Sequence, residues 1–246
     1  MRFADPAIIR KQLTKERIIF AATQLQGSRE SQEDYFINYN DECFVVSDGV
    51  GSIPNGDVAS KLAAETAIWG YKHIRMRPFY WADKQLLIKR IFRSSNLAVW
   101  QKRRESGFEA GLATTLSLLI VSAQKVWAGS VGDTSVLLYR EGLIDELTPR
   151  DVNELGTMTR AVGFQHLGLV PHIAVEKLLP RDIFLLATDG VMSYIDEEEL
   201  RATFDVVGET TQSITNAVTH LLTTAQSHGS TDNMTACLVK RLPNEE

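Results

Sequence analysis

Three acids border apolar, strand-like runs in this chain. Asp48 ends Phe44-Val45-Val46-Ser47-Asp48-Gly49, and Asp189 ends Ile183-Phe184-Leu185-Leu186-Ala187-Thr188-Asp189-Gly190. Asp232 precedes the last apolar run, in Gly229-Ser230-Thr231-Asp232-Asn233. Strands that deliver carboxylates to their ends build hard-cation sites, because Mg²⁺ and Mn²⁺ prefer oxygen ligands. Each motif alone has a plainer reading. Asp-Gly after a strand is a common turn, since Gly supplies φ > 0 and Asp bonds its own backbone. Asp232-Asn233 alone reads as a turn or cap, and Glu33-Asp34 alone as a solvated loop pair. Their joint occurrence, each directly abutting a strong strand, favours a metal site.

The elements that must position these acids are short strands. Pattern and turn signals place them at Arg17 to Thr23, Asp34 to Asn38, Glu42 to Ser47, Thr114 to Ser122, Lys125 to Val131 and Thr134 to Arg140. Further strands are expected at Leu143 to Leu147, His172 to Leu178, Asp182 to Ala187 and Asn233 to Arg241. Asn40-Asp41, Glu141-Gly142 and Pro180-Arg181 read as turns between them, which suggests antiparallel sheets. Helices interrupt in two places. One pair covers about Asp57 to His73 and Asp83 to Arg103, the second with Ile88, Ile91, Phe92 and Val99 on one face. Near the C-terminal end, Asp196 and Glu199 form a capping-box pattern. The helix after it carries Ile214, Ala217, Val218, Leu221 and Leu222 as an amphipathic stripe. Two segregated helix pairs suggest two packed sheets, each covered by helices.

Composition narrows the function classes. The chain has 246 residues, 44% apolar and 23% charged, as ordinary globular proteins are. It reads as one domain, with no linker, repeat or low-complexity tract. A net charge of -5 argues against a nucleic-acid surface. No apolar run approaches a membrane span, and Met1 to Lys15 lacks the apolar core of a secretory signal. Cys43 and Cys237 lie in apolar runs, so buried free thiols in a reducing, cytoplasmic setting are expected. Gly49-Val50-Gly51-Ser52 lacks the Gly-Lys-Ser/Thr of a P-loop and does not complete a GxGxxG. The chain has no HExxH, no CxxC pair and no G-x-S-x-G elbow, and its five histidines are scattered.

In order along the chain, the motifs resemble those of the PPM-type (type 2C) metal-dependent serine/threonine protein phosphatases, in a compact bacterial form. The resemblance runs from about Phe20 to Val239. It rests on Ser28-Arg29 through Gln32-Glu33-Asp34, then Val46 to Gly51 with Gly56 and Ala59-Ser60, then Gly111 to Thr115 and Gly129 to Thr134. Leu147 to Asp151, Met158 to Gly163, Ala187 to Val191 and Ser230 to Thr235 follow.

The resemblance implies an α+β fold: a four-layer α/β/β/α sandwich of two antiparallel sheets flanked by helix pairs. It also implies roles. Asp48 bridges two divalent metal ions, Mg or Mn, with the Gly49 carbonyl on one of them. Asp189 and Asp232 complete the other, and Glu33 and Asp34 ligate metal or hold its waters. Asp133 with Asp189 holds a third, weaker metal. Arg29 binds the substrate phosphate, because a planar guanidinium grips two oxygens at once. A hydroxide bridging the metals would attack phosphorus in line. The implied partner is a phosphorylated protein, the target of a serine/threonine kinase, with no nucleic acid or membrane involved and the enzyme a monomer.

Two departures stand out. Val50 occupies the place where some relatives carry a His as general acid, which leaves protonation of the leaving group to metal-bound water. Only Val152 to Thr157 separate Leu147-Thr148-Pro149-Arg150-Asp151 from Met158-Thr159-Arg160-Ala161, so the family's flap segment is missing there. Two alternatives stay open: an inactive member used as a binding module, and a phosphohydrolase of small molecules.

Overall fold

The computed structural model describes residues 18–122 and 124–243. The reading of Met1 to Lys15 and the start of the first strand at Arg17 lie outside the described residues. Among the described residues, ten strands form two five-stranded sheets. Sheet I is ordered β1 (Ile18–Leu25), β10 (Met234–Arg241), β9 (Ile183–Ala187), β6 (Ser135–Arg140), β7 (Leu143–Glu146). Sheet II is ordered β2 (Asp34–Tyr39), β3 (Cys43–Asp48), β4 (Leu116–Ser122), β5 (Lys125–Val131), β8 (His172–Lys177). Every pairing within them is antiparallel.

The central strands β3, β4, β9 and β10 read as largely apolar runs because both of their faces are buried, whereas the edge strand β7 is mostly exposed. Alternate residues face opposite ways. In β9, Ile183, Leu185 and Ala187 pack under helices, while Phe184 and Leu186 face the other sheet. In β3, Cys43 and Val45 face helices while Phe44 and Val46 face sheet I. Three buried clusters thus fill the three interfaces of a four-layer α/β/β/α sandwich. Cys43 and Cys237 are free and fully buried in two different clusters, as expected.

Helices α1 (Gly56–Ile74) and α3 (Lys84–Lys102) cover sheet II. Their contact uses small residues of α1, Ala59, Ala63, Ala64 and Ala67, against Leu87, Ile88, Ile91 and Phe92 of α3. Gly129 lets α3 lie close on β5, since a Cβ there would come within 2.8 Å of Ile88. Helices α5 (Glu197–Asp205) and α6 (Thr211–Ser227) cover sheet I. The capping box forms: the Asp196 carboxylate accepts from the Glu199 N–H, and Glu199 reaches back to the Asp196 N–H.

Two short helices were not expected. In α2 (Pro78–Ala82), Pro78 takes the first helical position, where its missing N–H costs nothing. In α4 (Asp189–Met192), the chain leaves β9 through Thr188, still extended, and turns at once. Strand β4 begins at Leu116 rather than Thr114, because Thr114 instead bridges Gly49 and Val162.

Candidate active site

The site lies where acids from both sheets meet. Asp34 opens β2 and Asp48 closes β3, and antiparallel pairing sets them directly opposite each other. The Asp48 backbone is held by the two threonines that precede β4: its N–H donates to Thr115 Oγ1 at 2.9 Å. Its carbonyl accepts from the Thr115 N–H at 2.8 Å and from Thr114 Oγ1 at 2.7 Å. Thr115 Oγ1 also bonds Thr134 Oγ1 at 2.7 Å, next to Asp133. The following loop folds back on itself, and a Cβ on Gly49 would sit 2.5 Å from the Gly56 backbone. A Cβ on Gly56 would overlap the Glu33 carboxylate, so two glycines make the space in which Glu33 stands.

Sheet I supplies the other half. Asp189 is the first residue of α4, and Asp232 immediately precedes Asn233 and β10. Thr188 Oγ1 donates to Asp34 Oδ2 at 3.0 Å and accepts from the Thr235 N–H at 3.0 Å, tying the two sheets together. Asn233 is a second tie: its Oδ1 accepts from the Glu33 N–H at 2.7 Å, and its Nδ2 donates to the carbonyls of Gln26 and Ser31. Asp133 lies on the link from β5 in sheet II to β6 in sheet I. Arg29 is not free: its Nη2 is 2.6 Å from Asp232 Oδ2, with the two side chains 50% and 36% exposed. Its guanidinium lies over the loop at Gly51.

The electrostatics show what is missing. Burial raises Asp34 to about 7, helped by the charge of Asp189 and opposed by hydrogen bonds from Thr235 and Thr188. Burial, then Asp189, raises Asp133 to about 6. Asp48 is pushed well above the ordinary range by burial and then by Asp34, Asp189 and Asp133. Burial and Asp232 raise Asp189. Two buried carboxylate oxygens, Asp34 Oδ1 and Asp133 Oδ1, have no hydrogen-bond partner. Among the described residues no three His, Cys, Asp or Glu groups are already drawn into a metal cluster. Instead the charge of Asp189 bears on Asp48 from close by, and like charges this near resist joint ionisation. An all-oxygen set short of positive charge fits a hard divalent cation.

Residues 27–233 match the model of the family described as protein phosphatase 2C. The chain belongs to that family. It is 26% identical over 220 residues to the serine/threonine phosphatase stp of Listeria welshimeri, a match covering 82% of this chain and 85% of that one. Its fold is like that of PppA from Pseudomonas aeruginosa, described as a key regulatory component of T6SS. That match has a TM-score of 0.74 and 25% identity, over 92% of this chain and 98% of that one. It is also like the catalytic domain of the phosphatase PstP in complex with two manganese ions. There the TM-score is 0.76 and identity 18%, over 92% and 99% of the two chains. As a protein phosphatase 2C the chain is a metal-dependent enzyme acting on serine/threonine phosphoesters of proteins.

For this phosphatase 2C, Asp34, Asp48, Asp133 and Asp189 lie close enough for their charges to bear on one another, Asp232 acts on Asp189, and Arg29 pairs with Asp232. The sequence reading missed what holds them. Thr188, Thr115 and Asn233 lie inside the quoted motifs, but their hydrogen-bonding work shows only when the sheets are docked. A further network was missed entirely. Asp151 accepts from the Gly132 N–H at 3.0 Å, and its own N–H donates to the Gly132 carbonyl at 2.9 Å, bracing the residue before Asp133. Its Oδ1 takes Arg160 Nη1 at 3.0 Å and His172 Nε2 at 2.8 Å. His172 is therefore not a scattered histidine.

Proposed function

We propose that this phosphatase removes phosphate from phosphoserine and phosphothreonine on proteins modified by a serine/threonine kinase. In this reading Glu33, Asp34, Asp48, the Gly49 carbonyl, Asp133, Asp189 and Asp232 hold the divalent cations, and Arg29 holds the phosphate. The observation that carries it is the pair of buried, unpartnered carboxylate oxygens on Asp34 and Asp133, flanking acids that burial and one another hold above their ordinary pKa. Asp48 has acidic neighbours from both sheets, which suits it to be shared by two cations. Asp189 and Asp232 serve one of them, and Asp133 with Asp189 offers a third, weaker position.

The bound cations supply the positive charge that makes water a nucleophile at neutral pH and polarises the phosphoryl group. The rest falls to side chains of this chain. Arg29 must leave Asp232 to grip two phosphate oxygens and offset the charge they gain in the transition state. Val50 offers no proton, so the alcohol leaving group would take its proton from a water held at the site rather than from a side chain at that position. Thr114 and Thr115 hold the Asp48 backbone, and Thr188 holds the Asp34 carboxylate, which keeps the acids at fixed spacing.

The segment at 152–157 supports a phosphatase domain without a flap. It is a tight loop closed on Asn153, whose Oδ1 accepts from the N–H groups of Leu155 and Thr157. Val152 and Met158 pair across its neck. Two free buried thiols support a reducing, cytoplasmic setting. No helix among the described residues is long and apolar enough to cross a membrane. We expect a monomer.

The test is turnover of a phosphothreonine peptide in excess EDTA and after Mn²⁺ or Mg²⁺ is restored, beside nucleotides and sugar phosphates. Activity should vanish with chelation and return with metal, and the peptide should be preferred. Full activity in chelator would overturn the reading.

A further inference from the structure

We infer that a groove beside the acids is a side-chain pocket for one large apolar residue of the phosphoprotein, one or two positions from the phosphorylated residue, and that Phe164 is its specificity-determining wall. The inference rests on the phosphatase reading above. The cavity holds about 240 Å³, and Val50, Ile53, Met158, Ala161 and Phe164 are among its lining residues. A dry cavity of ~150 Å³ takes benzene, so this open groove has room for a Leu, Met or Phe side chain. It begins two residues after Asp48, within about 8 Å at ~3.8 Å per Cα step. An extended peptide advances by ~3.3–3.6 Å per residue, so a residue one or two places from the phosphoester falls over it.

Two of the polar groups at the groove, Arg160 and Thr159, are already engaged elsewhere, while Ser52 and Thr157 add hydroxyls to its lining. Arg160 bonds Asp151, His172 and the Val170 carbonyl. Thr159 Oγ1 donates to the Asp151 carbonyl at 3.0 Å. Apart from the Ser52 and Thr157 hydroxyls, the remaining lining is apolar and carries no free cation, which favours an apolar over an acidic neighbour of the phosphoresidue.

Phe164 is 65% exposed, yet its backbone is fixed from α3. Asn96, itself buried, accepts from the Gly163 N–H at 2.8 Å and donates to the Gln165 carbonyl at 2.8 Å. Arg103 donates to the carbonyls of Gly163 and Phe164 at 3.1 and 3.0 Å. Trp100 packs its ring 4.1 Å from that of His166. The facing wall is also set, by Val50 N–H to the Ala113 carbonyl and Ile53 N–H to the Val50 carbonyl. An exposed aromatic on a rigid loop adds nothing to folding, but it binds an apolar partner with little ordering cost.

The experiment uses a Gly/Ser phosphothreonine peptide with Leu placed in turn at the two positions on either side, or Asp in its place. The enzyme is the full chain in saturating Mn²⁺, with turnover of a small aryl phosphate reporting fold and metal loading in each preparation. We expect at least one position at which Leu raises kcat/KM over Asp roughly tenfold. Phe164→Ser, and on the same wall Met158→Ser, should shrink that ratio to about twofold or less. Equal rates for all peptides with the unmodified enzyme would overturn the pocket and leave the phosphatase reading intact. A ratio that survives both substitutions would overturn it too. Turnover of the aryl phosphate with no turnover of any peptide would overturn both.

Discussion

Strand β9 carries an aspartate beside each end, and the two live under opposite conditions. Asp182, just before it, is 1% exposed and fully satisfied. Arg140 grips both of its oxygens at 2.8 Å, and the Leu179 N–H donates to Oδ2 at 2.7 Å. Asp189, just after it, has acids for neighbours and one cation, Arg29, acting from a distance. Asp34, across from it, is 3% exposed with one oxygen unpartnered. A buried carboxylate stabilises a fold only when its charge is answered. At one end of the sandwich the protein answers it. At the other it leaves the charge open, and that gap distinguishes a site from a strut.

The largest effect should come from the open end. Asp48→Asn should lower kcat on a phosphothreonine peptide by several orders of magnitude, on the order of 10³-fold or more, with the circular dichroism spectrum unchanged. Near-normal kcat would mean that Asp48 does not sit between the metals.

Next comes a pair of substitutions with opposite signs. Asp182→Asn removes the partner of Arg140 and should cost about 2–3 kcal/mol, seen as a lower Tm at unchanged metal-saturated kcat. Asp34→Asn should do the reverse in chelator. At pH 8 the native carboxyl, raised to about 7 from an ordinary ~3.9, disfavours folding by about 2–4 kcal/mol, and the amide removes that cost. Its Tm should rise by several degrees at roughly 2–4 °C per kcal/mol, while activity falls. Two Tm shifts of the same sign would erase the contrast.

The metal should act like the missing Arg140. At 100 times its dissociation constant it stabilises by ~2.7 kcal/mol, several degrees in Tm. The sign with pH follows from the raised carboxyls. They bind protons more tightly in the folded chain than in the unfolded one, so metal-free protein loses stability as pH rises from about 4 to 7. Protons and cations compete for the same oxygens, so the gain in Tm from millimolar Mn²⁺ should grow between pH 5.5 and 7.5. Thermal melts with and without EDTA decide it; a gain that shrinks with pH would exclude these acids as ligands.

The smallest effect belongs to the exposed pair. Arg29→Ala breaks an ion pair that is half in water, so in chelator the Tm should move by no more than about 1 kcal/mol equivalent. Peptide turnover should nevertheless fall markedly. A large Tm loss would make Arg29 a structural residue, the counterpart of Arg140.

Much of this was legible in the sequence. Strands buried on both faces announce themselves as apolar runs, and all ten lie within two residues of expectation. Asp48, Asp189 and Asp232 stood out because each borders such a run, whereas Asp133 and the metal roles of Glu33 and Asp34 came from the family resemblance. The missed features are those that depend on the second sheet or on a few residues of local turn. Helix α4 is too short to show a period, and α2 is signalled only by Pro78. Asn233 and Thr188 look like ordinary turn and strand-end residues until Glu33 and Asp34, some 150 to 200 positions away, are brought against them. Asp182 and Asp189 look alike in the chain, and only Arg140, on a neighbouring strand, separates them.

The acids also come from opposite halves of the chain. Asp34 and Asp48 meet by closing one local hairpin, whereas Asp189 and Asp232 join them only when sheet I docks on sheet II. During refolding the cation site is therefore among the last things to exist. A cation cannot help the chain find its sandwich, because its ligands are still scattered at the barrier. Once the sandwich closes, the cation rivets the two sheets together. Its effect belongs in the rate of opening, with the rate of closing nearly untouched.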